Sequence, residues 1–223
     1  MIIGILSLLV TIVVFWVAQK CYSYKRLLIF SPVLLTPAIL CTLLIVFHIS
    51  YEHYNAGAKY LTDMLQPATV AFSVPLYKNA RLLKQYAIEI IVSLLCGSLL
   101  AMTTSMFLAE WMHLTPEMIN SLIPRSITTP IAMTVSQTIG GIPTMTAVFV
   151  LFTALVGAVV GPLLIKYGKI HNKISKGLLL GMGAHGTGTA MALEYGQEEG
   201  AIASLSVVLA GIFTLLFSLF IHF

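Results

Sequence analysis

From Ser126 to Ile165 the chain contains no Asp, Glu, Lys, Arg or His. A run of about 40 uncharged residues is long enough to cross a bilayer twice, at about 20 apolar residues per pass. A soluble domain draws roughly a quarter of its residues from the charged set; here the share is 9%, against 58% hydrophobic. Folded in water, such a chain would have too little polar surface to cover its core. That excludes a cytosolic globular enzyme, a nucleic-acid binder and a disordered regulator. The expected class is all-α: a polytopic transmembrane helix bundle of about seven to eight membrane segments, read as one integral membrane domain over residues 1–223.

The remaining charges mark the loops. Residues 1–19 are uncharged and Lys20, Lys25 and Arg26 follow. A cleaved signal peptide carries its basic residues first, so the reading is a retained helix with its N-terminus outside. Residues 27–47 form a second apolar run, 86–109 a third and 200–223 the last; 48–63 read as a polar loop. Lys78, Arg81 and Lys84 form one basic cluster and Lys166, Lys169, Lys173 and Lys176 another. Cytoplasmic loops collect such residues, and the net charge of +4 fits that bias. Both clusters fall inside if 119–139 enters and leaves on one face and 177–195 crosses outward. A re-entrant backbone is tolerated where protein or a watery cavity covers it. In that topology 27–109 and 143–223 run in opposite directions and suggest inverted repeats linked by the broken segment 119–139.

Three apolar segments are interrupted by helix breakers. Gln66-Pro67-Ala68-Thr69 places Pro at a helix start. Thr128-Thr129-Pro130 is an N-cap signal followed by Pro. Gly186-Thr187-Gly188-Thr189 permits close backbone approach and offers two hydroxyls. A broken helix leaves N–H groups unsatisfied at a positive dipole end, which suits a small anion. Candidate ligand-binding residues are therefore Thr69, Arg125, Thr128, Thr129, Pro130, His185, Gly186, Thr187, Gly188 and Thr189. Arg125, at the mouth of the second break, can fork a carboxylate or snorkel to headgroups. His185 is the ionisable residue between Gly177 and Leu193 and is the candidate for proton coupling. His48, His53, His113 and His222 lie near loops or the terminus, and no metal site is expected. Cys21, Cys41 and Cys96 are isolated; Cys41 and Cys96 read as small core residues. No HExxH, GxSxG or P-loop pattern occurs, so no enzyme chemistry and no cofactor are expected.

The strings PATVAFSVPLY (67–77), PRSITTPIAM (124–133) and AHGTGTAMALEYGQEEGAIASL (184–205) resemble the LrgB/CidB family of bacterial membrane proteins. That family was first described as antiholin-like, and the plastid glycolate/glycerate translocator contains a similar half. The resemblance runs from about residue 25 to the end. It implies a bacterial cytoplasmic-membrane carrier of small monocarboxylates of the pyruvate, glycolate or glycerate type. It also implies a smaller LrgA/CidA-type membrane partner, and a homodimer is the further expectation. The alternative carried by the same family is a holin- or antiholin-like protein that modulates murein hydrolase export and lysis.

Overall fold

The computed structural model describes residues 2–24, 31–71 and 73–220. All regular structure among them is helical. The chain forms two compact units, Met1–Val70 and Ala71–Phe223.

The first unit starts with α1 (Ile2–Tyr24), which is long and apolar enough to cross a membrane. Residues 25–30 lie outside the described residues. Ser31 and Pro32 open α2 (Pro32–Val46), a start that needs no amide proton from the proline. At 15 residues α2 spans about 22 Å, less than the roughly 30 Å of a hydrocarbon core. The segment expected to be a loop, 48–63, instead forms α3 (Tyr51–Asp63), capped by the Ser50 side chain. Its polar residues belong to an amphipathic helix. The Tyr54 hydroxyl meets Thr11 Oγ1 on α1 at 2.9 Å, and Gly57 lies directly on the Gly4 backbone. Helix α4 (Leu65–Ala71) follows.

The second unit holds two short helices, α5 (Ser73–Lys78) and α6 (Ala80–Gln85), and then α7 (Ala87–Trp111). Next come α8 (Pro116–Leu122), a 3-10 turn over Ile123–Ser126, and α9 (Thr129–Thr138). Helices α10 (Pro143–Tyr167), α11 (Lys173–Tyr195) and α12 (Gln197–Ser218) complete the chain. By length and composition α7, α10 and α12 can each cross a membrane; the 25 residues of α7 and of α10 rise about 37 Å. The protein is an integral membrane protein.

Two segments enter this bundle and turn back. In 116–138 the Asn120 amide donates to the Ile139 carbonyl at 2.7 Å, and the Ile142 N–H donates to Ser121 Oγ at 2.7 Å. The two legs therefore stand side by side, with the reversal at Ser126–Thr128. In α11 the Lys176 ammonium lies 5.5 Å from the Tyr195 ring centroid, and Lys173 reaches Glu198 at 3.0 Å. A straight helix of 23 residues would hold its ends about 33 Å apart. At His185 the backbone leaves helical geometry (φ 52, ψ −127) and the chain reverses, seating Gly188 against the Leu180 carbonyl. The expectation that 177–195 crosses outward is thus corrected: 173–184 runs in, 186–195 runs back, and α12 makes the crossing.

Helix α10 joins the two hairpins along its full length, so they enter from opposite ends of the bundle. Each follows a 25-residue helix that ends in a left-handed residue, His113 (φ 54) or Lys169 (φ 50). In both, the next apolar residue closes the turn, Leu114 N–H on Ala109 O and Ile170 N–H on Ile165 O. Thr115 and Asn172 then begin the hairpins as N-caps. Residues 87–138 and 143–195 thus share one order of elements, a 25-residue helix followed by a hairpin. Both hairpins pack on α10 and α12: Ile127, Ala132 and Val135 against Val150 and Ala210, and Leu180 and Ala192 against Ile165 and Ala203.

Candidate functional site

The two hairpin tips meet. Pro124 and Arg125 occupy the 3-10 turn just before the first reversal, and Pro124 has a non-helical ψ of 15°. The backbone of Arg125 lies close to the His185 imidazole at the second tip. His185 is 4% exposed, and its Nε2 has no partner. Its carbonyl accepts from Thr189 Oγ1 at 3.1 Å. Thr128 is the N-cap residue of α9, with a buried hydroxyl that has no partner. Thr129 and Pro130 form the first turn of α9 and are half-buried. On the second tip Gly186 is exposed, Thr187 half-buried and Gly188 buried.

The Arg125 side chain extends sideways between α7 and α10. Its Nε–H donates to Ser105 Oγ at 2.9 Å and an Nη1–H to Thr153 Oγ1 at 3.3 Å. The hydroxyls in turn donate to carbonyls of their own helices, Ser105 to Ala101 and Thr153 to Phe149. Among the described residues no carboxylate is paired with Arg125. Ser105 stands six residues, about 9 Å, from the end of α7, and Thr153 ten residues, about 15 Å, from the start of α10. The guanidinium is therefore held between α7 and α10, inside the ends of both helices. It borders a cleft of about 420 Å³ that also touches Phe149, Phe152, Gly157 and Gly183.

The structure thus brings Arg125, Thr128, Thr129, Pro130 and the 185–189 turn into one region of the second unit. The cleft itself is lined by Arg125 but not by Thr128, Thr129, His185 or Thr187. Thr69 lies on α4, in the first unit. Sequence reasoning missed Ser105 and Thr153. A signal existed for the first: Ser98, Met102, Ser105 and Ala109 are buried at helical spacing, a small and polar stripe in an apolar helix. Cys41 and Cys96 were expected in the core and are exposed. A membrane helix is apolar on every side, so hydropathy does not separate its inner face from its outer one.

The LrgB-like family model matches residues 11–223, a stretch that includes both hairpins. The chain belongs to the LrgB family. The antiholin-like protein LrgB of Bacillus subtilis is 38% identical to this LrgB-family chain, over 86% of it and 83% of the relative. The antiholin-like protein LrgB of Bacillus cereus is 32% identical over 93% and 91%. A Bacillus subtilis protein that bears only the name uncharacterized protein YwbG is 51% identical, over 96% of both chains. No solved structure matches this member of the family.

Proposed function

We propose that this LrgB-family protein is a secondary carrier of small monocarboxylates in the bacterial cytoplasmic membrane. The observation that carries the reading is Arg125: a guanidinium held between two membrane-length apolar helices by two neutral hydroxyls, with no carboxylate partner among the described residues. A charge within a membrane span costs at least a few kcal/mol and normally serves a substrate or a coupled ion. An anion entering the cleft meets the free edge of the guanidinium. The amides that open α9 near Thr129 and the returning leg near Thr187 add positive dipole ends. Hairpins that enter from opposite ends and meet at their tips give each side of the membrane its own gate, as alternating access requires. His185, at that meeting point, is assigned the coupled proton. An LrgA/CidA-type membrane protein is the expected partner, and a homodimer the expected assembly.

Uptake of radiolabelled pyruvate, glycolate and glycerate into proteoliposomes tests this reading. Arg125→Ala and Thr129→Val should abolish or strongly reduce saturable uptake. Full uptake by both variants rejects the site. His185→Ala should uncouple uptake from external alkalinisation; persistence of the pH change rejects the proton role.

A second reading is favoured by the printed name of the LrgB relatives, antiholin-like. On that reading the protein modulates a lytic membrane lesion and murein hydrolase export without a substrate cycle. Escape of a large dye from protein-containing vesicles, with no saturable uptake, supports the second reading. Dye retention with saturable uptake of one acid supports the carrier.

A further inference from the structure

Near the meeting point of the hairpins, hydroxyls are spent on the backbone. In an apolar helix a Ser or Thr gives its proton to the carbonyl one turn back. Ser105 does so to Ala101, Thr153 to Phe149, Thr189 to His185 and Ser206 to Ile202. Thr128 is different. It stands at the N-cap of α9, where its hydroxyl could receive a first-turn amide, and it makes no such bond. That hydroxyl is buried without a partner, in a residue 8% exposed. On the other tip His185 Nε2 is equally buried and unpartnered. The His185 backbone is left-handed (φ 52), a conformation that costs glycine little and a residue with a side chain more. Such outliers cluster at ligand clamps.

Two neighbouring helices measure how close the tips stand. On α10 the first tip is held at Thr153, through Arg125, and the second lies against Gly157, through Gly183. Those two positions on α10 are one turn, about 6 Å, apart. On α12, Ser206 lies against Gly181 and Gly211 against Ile131, at a separation of about 7.5 Å along the helix. Thr128 precedes Ile131 and is nearer the first reversal; His185 follows Gly181 and is the second reversal itself. Both unpartnered groups therefore fall at the seam between the tips.

We propose that Thr128 and His185 together read the oxygen on C2 of a small acid, and so set a preference for 2-hydroxy and 2-oxo monocarboxylates over unsubstituted ones. The inference rests on the carrier reading and adds a second point of recognition to it. Arg125 takes the carboxylate, and the seam takes the neighbouring oxygen. A hydroxyl can donate and accept, and an imidazole nitrogen does one or the other by tautomer. A 2-oxo group accepts from the Thr128 hydroxyl. A 2-hydroxyl can in addition donate to a ring nitrogen that lacks a proton. A plain methylene at C2 leaves both protein groups buried and unmet, which is the costly outcome. A site built around a substrate oxygen rejects the analogue without it far more strongly than an apolar pocket rejects an added group.

Thermal stabilisation of the purified full-length protein by lactate, pyruvate, propionate, glycolate, acetate and 3-hydroxypropionate tests this. Lactate and pyruvate should act at concentrations about tenfold or more below propionate, and glycolate should stand in the same relation to acetate. 3-Hydroxypropionate, with its oxygen one carbon further out, should rank with propionate. Thr128→Val should narrow the gap between lactate and propionate to within about threefold. His185→Gly should do the same, because glycine keeps the left-handed backbone and removes only the imidazole. Thr128→Ser should preserve the gap, and Arg125→Ala should weaken both acids alike. Equal stabilisation by lactate and propionate in the unaltered protein would mean that water alone fills the seam, and overturns the proposal. A gap unchanged in both tip variants, or no stabilisation by any acid, also overturns it. If Thr128→Val fails to fold, His185→Gly and the ranking of the six acids on the unaltered protein carry the test. Such a gap without vesicle uptake sinks the carrier reading and leaves the tip assignment standing. Saturable uptake that treats propionate and lactate alike does the reverse.

Discussion

The two hairpins share a layout and are held by different forces. The first is tied at its base by directional hydrogen bonds. Asn120 donates to Ile139, Ile142 donates to Ser121, and the Thr146 hydroxyl lies 2.7 Å from Ser136 Oγ and 3.0 Å from the Ser121 carbonyl. The second is held by backbone proximity. Gly177 lies against the Glu199 carbonyl, Gly181 against Ala203, Gly188 against Leu180, and Gly157 of α10 against Gly183. Its base carries the exposed ion pair Lys173–Glu198 and the Lys176 ammonium beside the Tyr195 ring. Small residues are the usual way to bring helices together where lipid removes the hydrophobic incentive. The first hairpin is thus pinned by hydrogen bonds, and the second is seated by close backbone contact at its glycines.

The largest effect is expected where a side chain would displace backbone. Gly188→Val places its Cβ against the Leu180 carbonyl, which has no flexible end to yield. The cost should be about 3 kcal/mol or more, visible as loss of the monodisperse peak in detergent or a collapse of the melting temperature. Gly183→Ala, five residues earlier and facing open space, should leave stability within about 0.5 kcal/mol of the unaltered protein. Similar losses at both positions would mean that the second hairpin is not held by close approach.

Next in size is a break in the pinned hairpin. Thr146→Val keeps the shape of the side chain and strips partners from Ser136 and from the Ser121 carbonyl, all in a buried setting. A loss of about 1–3 kcal/mol is expected, read as a lower midpoint in thermal unfolding. No change would equalise the two hairpins and undo the contrast.

How far the sequence revealed these regions follows from what breaks each helix. The first reversal carries Pro124, Pro130 and an N-cap threonine, all local signals, and it was legible as a re-entrant segment. The second turns on His185 in a left-handed conformation that β-carbon-bearing residues seldom adopt. No residue type announces that. Gly181, Gly183, Gly186 and Gly188 read equally well as packing positions in a crossing helix, and 177–195 has the length to cross. Arg125 was legible as a lone cation. Ser105 and Thr153 lie 20 and 28 residues away on other helices, and their contact with it is a product of packing alone. The polar run 48–63 reads as a loop by its charges, while the Ser50 cap marks the helix that forms there.

A smaller effect on stability, with a larger one on function, is expected at Thr128. Its hydroxyl is buried without a partner and does not cap α9. Thr128→Val removes that unmet group and keeps the volume, so stability should hold or rise by up to about 1 kcal/mol. If the hydroxyl waits for a carboxylate, the same variant should lose acid-dependent thermal stabilisation while its ligand-free melting temperature is maintained. A clear drop in the ligand-free melting temperature would show that the hydroxyl already has a structural partner.

The smallest effect belongs to the tie across the second hairpin. Lys173 and Glu198 lie 3.0 Å apart with both side chains well exposed. The hydrogen bond and charge of Glu198 raise the Lys173 pKa above 10.5. A raised lysine pKa means that the folded state holds its proton more tightly, so the contribution is fully present below the unfolded pKa. It fades as pH climbs through the raised folded value. Glu198→Gln should lower the melting temperature slightly at neutral pH and low salt, and the difference should shrink in high salt and above about pH 11. A difference that survives both conditions would assign the effect to packing rather than charge. It would then place the second hairpin's base among the rigid elements, alongside the first.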